Sequence, residues 1–217
     1  MIRIVHGHQR HLFPREIDGM HRLRKKVFHE RMAWQVPVIS DWEVDGFDAM
    51  DPVYLLALDE REQVVGTMRL LPTTGFNMLN DVFPQLLPDG SPVYSPRIWE
   101  VSRLAVDPSA GTAQGDRLLG IATAELAIAS NEIAVASGVS HFVAVIDAFM
   151  HRTFKRAGCA GEPISPPQRI GGTLCYAVAF EMGDELEANF RRAGGITWPV
   201  LEKDIRELGL PSYALAA

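Results

Sequence analysis

The sequence predicts one α/β (α+β) domain of three layers, in which helices cover both faces of a mixed β-sheet. The order of elements is the main reason, because a strand hairpin precedes an alternation of strand, helix, strand, helix and strand. Length agrees, since 217 residues are too few for two domains of about 150 residues each. Composition agrees as well, because 47% hydrophobic and 22% charged residues are typical of globular chains. We therefore expect a single domain over residues 1–217.

The amino-terminal half is predicted to contain a strand, a helix and a hairpin. Pro14 suits the first turn of a helix, and apolar residues recur at helical spacing from there to Arg31. The segment 32–51 is irregular and rich in acids, and loops of that length usually bind something. The predicted elements are the strand Ile2–Val5, the helix Pro14–Arg31, and the strands Val53–Leu58 and Gln63–Leu71.

The carboxyl-terminal half is predicted to alternate strands with helices. Gly138 marks the end of an alanine-rich helix that begins near Asp116. Because this helix joins two strands, the unit from residue 98 to residue 147 should be a right-handed parallel crossover. The predicted strands are Ile98–Val106, His141–Asp147 and Leu174–Met182, and the predicted helices are Asp116–Ser137, Ala148–Ala157, Asp184–Arg192 and Leu201–Leu208.

Charge is distributed unevenly along the first 62 residues. Residues 1–34 carry eight lysines and arginines against three acids, whereas residues 39–62 carry eight acids and only Arg61 as a base. Two such segments attract one another or bind a ligand that carries both signs of charge. The alternative is that both segments form solvated surfaces, which is common for charged runs.

Composition argues against several classes of protein. A net charge of −6 gives no support to nucleic-acid binding. Two cysteines, Cys159 and Cys175, are too few for a disulfide scaffold, so we expect a cytoplasmic protein. The sequence shows no apolar leader and no apolar span of 18 residues, so we expect neither secretion nor membrane association.

Metal-dependent and simple hydrolytic chemistry are also poorly supported. His6, His8 and His11 lie close together in sequence, but no Cys/His pair and no H-E-x-x-H spacing accompanies them. The chain has no G-x-S-x-G motif, and no phosphate-binding loop or dinucleotide fingerprint follows a strand. We therefore expect no metal site.

The strand Ile98–Val106 carries the most informative polar residues. Alternation places Glu100 and Ser102 on one face of a mostly apolar strand, where a carboxylate needs a partner or a raised pKa. A raised pKa suits a general base that works near neutral pH. The alternative is a structural ion pair of Glu100 with Arg69 or Arg103. Regular alternation points Arg103 to the opposite face, so both residues reach one site only if a bulge interrupts the strand.

Short motifs between residues 24 and 103 occur in a distinctive order. They are R-x-x-x-F-x-x-x-x-x-W with Arg24, Phe28 and Trp34, D-G-F-D with Asp45 and Asp48, M-R-L-L-P with Arg69, then Phe83, and E-V-S-R with Glu100 and Arg103. Together they closely resemble the acyl-homoserine-lactone synthases, the LuxI-type autoinducer synthases. The order of elements over the rest of the chain is compatible with the fold of that family.

The resemblance implies a fold and a reaction. The fold is like that of the GCN5-related N-acetyltransferases, a sheet that splays between its fourth and fifth main strands, here Ile98–Val106 and His141–Asp147. The substrates implied are S-adenosylmethionine and an acyl thioester of acyl-carrier protein or coenzyme A. The amine forms an amide with the acyl group, and lactonisation then releases methylthioadenosine. No cofactor is implied, because both small molecules are substrates.

Site residues follow from the matched motifs. We expect catalysis to depend on Glu100, Ser102 and Arg103, with Glu100 as the base that frees the amine, directly or through a water. Aromatic rings suit contact with the sulfonium and adenosine groups of S-adenosylmethionine. The charged side chains of the motifs suit binding of its carboxylate, or they rigidify the site through ion pairs with one another. For Phe83, core packing is the alternative. The residues expected to bind S-adenosylmethionine are Arg24, Phe28, Trp34, Asp45, Asp48, Arg69, Phe83 and Arg103.

The acyl pocket is expected on the strand His141–Asp147 and the helix after it. Family members that select 3-oxo chains often have threonine at what looks like Ala144, and alanine has no hydroxyl for a 3-oxo group. We therefore predict an unsubstituted acyl chain that is short, branched or aryl. The residues expected to line the pocket are Phe142, Ala144, Ile146, Met150 and Phe154, and ordinary core packing is the alternative for each.

The sequence does not decide between the acyl donors or between the amine acceptors. The segment Asp107–Gly120 lacks the phosphate loop of ordinary acetyltransferases, and Asp116 would repel a phosphate there. Either of two basic patches suits an acidic carrier protein or coenzyme A phosphates. The first is His151, Arg152, Lys155 and Arg156 of the helix Ala148–Ala157, and the second is Arg22, Lys25 and Lys26. Two other functions are considered, an acyl-CoA-dependent N-acyltransferase for a different amine and a ligand-binding module without catalysis.

Overall fold

The computed structural model describes residues 1–111 and 117–203, and these form strands and helices in the predicted order. The strands are β1 (Ile2–His6), β2 (Val38–Ile39), β3 (Trp42–Glu43), β4 (Val53–Leu58), β5 (Val64–Pro72), β6 (Ile98–Val106), β7 (His141–Asp147), β8 (Glu162–Pro163), β9 (Gln168–Ile170) and β10 (Thr173–Glu181). The helices are α1 (Pro14–Arg24), α2 (Met78–Asp81), α3 (Pro108–Gly111), α4 (Ile121–Ser137), α5 (Ala148–Arg156) and α6 (Asp184–Gly194).

Most of the described strands form one mixed sheet in the order β1-β4-β5-β6-β7-β10-β8, and β9 pairs with β10. The pairs within this sheet are antiparallel except for β6 with β7, which run parallel. The parallel pair is joined through α4, as the sequence predicts for a strand–helix–strand unit.

Helices cover both faces of the sheet, which confirms the three-layer fold. On one face, residues of α4 such as Leu126 and Ile128 pack with Met68 and Phe142 of the strands in the largest core cluster, which α5 and α6 complete. On the other face, α1 packs against β4 and β5, and α2 packs over β6 and β7. Polar residues on this second face are therefore enclosed between the sheet and the amino-terminal helices.

The sheet opens between β6 and β7, as expected for a splayed sheet. The two strands pair only over Ile98–Val101 and His141–Ala144. Beyond these pairs, β6 remains bonded to β5 and β7 remains bonded to β10, up to Val106 and Asp147 respectively. The cleft therefore begins immediately after Val101, beside Ser102.

The first helix differs from the prediction in its second half. The α-helical part ends at Arg24, and Lys25–Arg31 continue as a π-helix. Apolar spacing over a short run does not separate the two helix types, because an α-helix repeats a face every three or four residues and a π-helix every four or five. Phe28 lies in this π-helical part and is buried.

Two predicted helix boundaries in the carboxyl-terminal half are wrong. Helix α4 begins at Ile121, because the amides of Leu118 and Leu119 both donate to the carbonyl of Ala193 instead of starting a helix. Asp116 itself lies outside the described residues. Gly138 ends α4 in the left-handed conformation, as predicted.

The predicted helix Leu201–Leu208 does not begin at Leu201. The segment around Leu201 forms a bridge with Ile2 of β1, with hydrogen bonds on both sides of that strand residue. Residues 204–208 lie outside the described residues. Within the described parts of the chain, no helix is long and apolar enough to cross a membrane.

Candidate active site

A buried cluster of three arginines and three carboxylates lies between the sheet and the amino-terminal segment. Each of these side chains is at most 9% exposed. The numbers of positive and negative charges are equal, which is how a folded chain tolerates so many ions out of water. The ion cluster consists of Arg24 from α1, Arg69 from β5, Arg103 from β6, and Glu43, Asp45 and Asp48 from the acidic segment 39–62.

Asp48 is the most heavily bonded carboxylate of the ion cluster. Arg24 binds it with two parallel hydrogen bonds of 2.8 and 2.9 Å, and Arg69 adds a third of 3.0 Å. The hydroxyl of Tyr54 also donates to Asp48 at 2.9 Å. Burial alone would raise the pKa of Asp48, but the bonds and charge of Arg24, with the charge of Arg69, hold it well below its usual range.

Glu43 and Asp45 connect the three arginines to one another. Glu43 accepts from Nε of Arg24 at 2.5 Å and from Nε of Arg103 at 3.1 Å. Asp45 accepts from Arg69 at 2.5 and 3.0 Å, and its Oδ2 lies 2.6 Å from Nη2 of Arg103. Arg24 belongs to the basic segment 1–34, so its bonds to these carboxylates agree with the expected attraction between the basic and acidic segments. Arg69 and Arg103 come instead from the strands β5 and β6.

Sequence reasoning missed Glu43 and Tyr54. Glu43 is one of eight acids in its segment, and nothing in the local pattern separates it from its exposed neighbours. Its backbone carbonyl accepts a hydrogen bond of 2.8 Å from Nδ1 of the buried His21. In the sequence, Tyr54 has the pattern of an ordinary apolar strand residue, and only the structure shows that its hydroxyl donates to Asp48.

A β-bulge brings Arg103 to the same face as Glu100. Thr67 of β5 pairs with Ala105, whereas Arg69 pairs with Ser102, so β6 has one residue more than β5 over this interval. Arg103 has φ +53°, in the left-handed region that residues with a Cβ rarely adopt. Because this bulge interrupts the alternation of β6, Glu100 and Arg103 reach one site. The strained backbone belongs to Arg103, which is a residue of the ion cluster.

Glu100 is only 1% exposed and is held by the backbone of α2. Its Oε2 accepts from the amide of Met78 at 3.1 Å, and its Oε1 accepts from the amide of Leu79 at 2.6 Å. Burial raises the pKa of Glu100, although these two hydrogen bonds and the charges of Arg69 and Arg103 oppose the rise. The hydrogen-bond partners of Glu100 are thus backbone amides, not the arginines that an ion pair would require.

Met78 also contacts the ion cluster through its sulfur. Nη2 of Arg69 lies 3.3 Å from the Met78 sulfur, and Nη1 of Arg103 lies 3.2 Å from it. Ser102 accepts a hydrogen bond of 3.2 Å from Nε of Arg69. Glu100, Ser102 and Arg103 therefore lie together around Met78 and Arg69.

The aromatic residues of the motifs divide into two places. Phe28 and Trp34 stack with centroids 5.5 Å apart and planes at 11°, and the guanidinium of Arg103 lies 5.5 Å from the Phe28 ring. Trp34 is half-buried and forms the more exposed end of this stack. Phe83 instead packs against the apolar cluster that contains Leu79 and Val143.

The residues expected to line the acyl pocket lie on the opposite face of the sheet from Glu100. Glu100 pairs with Val143, whereas Phe142 and Ala144 on either side of Val143 point to the other face. Phe142, Ala144 and Phe154 are buried in the largest core cluster, and Ile146 and Met150 pack against it half-buried. A chain bound there would have to pass between β6 and β7, where the strands diverge.

Among residues 1–111 and 117–203, no group of three or more His, Cys, Asp or Glu side chains is arranged to hold a metal ion. The carboxylates of the ion cluster are already bonded to arginines.

The fold is similar to that of a solved acyltransferase structure at low sequence identity. An acyl-CoA N-acyltransferase from Pseudomonas aeruginosa aligns with 83% of this chain and 98% of its own, with a TM-score of 0.54 at 13% identity. At that identity the likeness concerns the fold alone. It agrees with the expected likeness to the GCN5-related N-acetyltransferases.

The comparisons at higher identity identify one family. The family model of the autoinducer synthases matches residues 9–190. An acyl-homoserine-lactone synthase of Rhizobium radiobacter is 37% identical over 161 residues, which are 74% of this chain and 76% of the relative. Another, from Pseudomonas aeruginosa, is 34% identical over 182 residues, 82% of this chain and 89% of the relative. The chain belongs to the autoinducer synthase family and is an acyltransferase, an acyl-homoserine-lactone synthase.

Solved structures agree with this assignment. The CoA-dependent acyl-homoserine-lactone synthase BjaI, in complex with SAM and isopentyl-CoA, aligns with 94% of this chain and 93% of its own. The TM-score is 0.81 at 28% identity. The synthase LasI aligns with 92% of this chain and 98% of its own, with a TM-score of 0.75 at 29% identity.

Proposed function

We propose that this chain joins S-adenosylmethionine to an acyl-coenzyme A thioester, forming an acyl-homoserine lactone and releasing methylthioadenosine. The observation that carries the proposal is the position of Glu100. It is a buried carboxylate with a raised pKa, one residue before the last β6–β7 pair and beside a buried ion cluster. The BjaI structure, which contains SAM and an acyl-CoA, supports the same pair of substrates.

The first step is amide formation. Glu100 takes a proton from the ammonium of S-adenosylmethionine, directly or through a water, and the free amine attacks the thioester carbonyl. The carbon–sulfur bond of the thioester breaks, and the thiolate of coenzyme A leaves with a proton. A raised pKa makes Glu100 a stronger base than an ordinary exposed carboxylate.

The second step closes the lactone. A carboxylate oxygen of the acylated S-adenosylmethionine attacks its γ-carbon, and the bond from that carbon to the sulfonium sulfur breaks. The sulfur keeps the electron pair and leaves as neutral methylthioadenosine, so the charges of carboxylate and sulfonium cancel. No redox partner is needed, and we propose that the reaction uses no metal or other cofactor.

Exposure separates the three arginines of the ion cluster into two supporting groups and one contacting group. Arg24 and Arg69 have fully buried side chains whose nitrogens already bind carboxylates. We assign them, with Asp45 and Asp48, to holding the site rigid for S-adenosylmethionine. Arg103 is 9% exposed and is assigned to the substrate carboxylate. The aromatic stack of Phe28 and Trp34 is assigned to the sulfonium and adenosine groups, with Phe83 packing behind α2.

The acyl chain is proposed to be unsubstituted and short, branched or aryl. Ala144 offers no hydroxyl to a 3-oxo group, and Phe142 and Phe154 are buried in the same core cluster. Phe154 meets Phe180 and Phe190 edge to face, which leaves a bulky wall behind the sheet. Coenzyme A is proposed as the donor because structures of two CoA-dependent synthases align with 94% of this chain.

The test supplies the purified protein with S-adenosylmethionine and matched acyl chains on coenzyme A or on acyl-carrier protein. We expect methylthioadenosine and an acyl-homoserine lactone in equal amounts, faster with acyl-coenzyme A, and unchanged by a chelator. Consumption of the thioester with another amine and no methylthioadenosine would instead indicate the N-acyltransferase. Equal or faster turnover with the carrier protein would contradict the choice of donor.

A further inference from the structure

The two amides that hold Glu100 belong to a helix too short to hold itself in place. Helix α2 has four residues, and a single turn is not stable alone because nucleation fixes many dihedral angles for one hydrogen bond. It lies within residues 73–97, a long connection between β5 and β6. Contacts outside the helix must therefore keep the amides of Met78 and Leu79 on Glu100, and the packing of Leu79 in one cluster with Val143 is one of them.

Asn80 makes the contact that ties α2 to the far side of this connection. Its Oδ1 accepts from the amide of Val93 at 3.0 Å, and its Nδ2 donates to the carbonyl of Val93 at 2.8 Å. One side chain thus satisfies both backbone groups of a residue thirteen positions away, as a neighbouring strand would. The amide of Asn80 donates to Asn77, which caps the start of α2.

We propose that Asn80 is a positioning residue that holds the Met78 and Leu79 amides against Glu100 and so keeps the base in its charged form. The inference rests on the proposed function, in which Glu100 takes the proton. Amides that donate to a carboxylate favour the carboxylate over the acid. If these amides move away from Glu100, the charges of Arg69 and Arg103 are left to oppose the rise in its pKa that burial causes.

Other groups around Glu100 do not replace these amides. From β7, the paired residue is the apolar Val143. From α2, the charged residue is Asp81, and it accepts from the amide of Asn77 rather than facing Glu100. From the acidic segment, Glu43 and Asp45 bind the arginines. The ionisation of Glu100 therefore depends on the two amides and two arginines.

The test compares Asn80→Ala with Asn131→Ala, a matched control in which the lost amide also binds backbone. Asn131, on α4, accepts from the amide of Gly183 at 2.8 Å, on the opposite face of the sheet from Glu100. Two measurements are made on each protein: hydrogen exchange at the Met78 and Leu79 amides, and the pH dependence of kcat.

Both measurements are expected to change in Asn80→Ala and neither in Asn131→Ala. Exchange at Met78 and Leu79 should accelerate at least tenfold, and the acidic limb of kcat should move up by about one pH unit. Unchanged exchange, or faster exchange with an unmoved limb, would overturn the proposal. If Glu100→Gln itself keeps the limb, the base assignment fails, while the exchange measurement still decides whether Asn80 holds the amides.

Discussion

Glu100 and Arg103 lie three positions apart on β6 and yet contact the same residue, Met78. Glu100 accepts from the Met78 amide, and Arg103 approaches the Met78 sulfur at 3.2 Å. A regular strand would point the two side chains to opposite faces. The bulge at Arg103, with its left-handed backbone, places the base and one arginine of the ion cluster on one face.

Glu100→Gln is expected to lower kcat by about 10²–10⁴-fold, because the amide cannot take the proton. The wild-type acidic limb should lie above pH 4.5, the ordinary value for a glutamate, since burial raises the pKa of Glu100. That limb should vanish in the variant. Methylthioadenosine release against pH is the measurement. Glu181→Gln, an exposed change on β10, is the control, and equal losses in both variants would contradict the role.

Arg103→Lys is expected to raise the KM for S-adenosylmethionine about tenfold with a smaller effect on the KM for the thioester. Arg103 bonds Glu43 through Nε and lies 2.6 Å from Asp45 through Nη2, and a single ammonium cannot reproduce that geometry. Initial rates with each substrate varied in turn give both constants. Arg97→Lys, exposed just before β6, should leave both unchanged. An unaltered KM for S-adenosylmethionine in Arg103→Lys would exclude this contact.

Asp48→Asn is expected to lower the free energy of unfolding by about 3–5 kcal/mol, because Arg24 and Arg69 would lose a buried counter-charge. Asp18→Asn, which breaks an exposed pair with Arg22, should cost less than about 1 kcal/mol. Urea unfolding at pH 7 measures both. Similar costs for the two variants would show that the buried charge of Asp48 is dispensable.

The cost of Asp48→Asn should also depend on pH. The pKa of Asp48 in the fold lies below its unfolded value of about 3.9, so its contribution is fully present above that pH. As pH falls below about 4, the unfolded chain binds a proton that the folded chain does not, and the difference between wild type and variant shrinks. A difference that grows on acidification would contradict the depressed pKa.

The lactones made by cells that express the protein are expected to carry unsubstituted acyl chains. Ala144→Thr should increase the share of 3-oxo products, because its hydroxyl gives the 3-oxo group a hydrogen-bond partner. Mass spectrometry of the released lactones gives this share. Ala177→Thr, a buried change on the neighbouring strand β10, is the control. A wild-type product that is mainly 3-oxo would contradict the interpretation of Ala144.

Reversing the charges of Lys155 and Arg156 is expected to raise the KM for acyl-coenzyme A several-fold. Both are exposed in the last turn of α5, where they would attract the phosphates of the donor. The KM for S-adenosylmethionine should stay constant, and the effect should weaken with salt because surface attraction is screened. Equal KM values for the donor in both proteins would remove α5 from its binding surface.

Much of the architecture is determined by local sequence. The bounds of β6 and β7 and the glycine end of α4 at Gly138 agree with the prediction. These features depend on alternation, helical spacing and one residue with positive φ, all of which are readable within a few residues. The order of the motifs likewise identifies Arg24, Asp48 and Arg69 as expected site residues without knowledge of any contact.

Only the tertiary structure decided which groups meet. Glu43 joins the ion cluster through Arg24 and Arg103, and the bulge places Arg103 on the same face as Glu100. The start of α4 is set by the carbonyl of Ala193 on α6, which lies 75 residues after Leu118 in the chain. The physical reason is common to all three: a charge or a backbone amide taken out of water must find a partner wherever packing provides one. Which partner it finds is a property of the whole fold and not of the neighbouring residues.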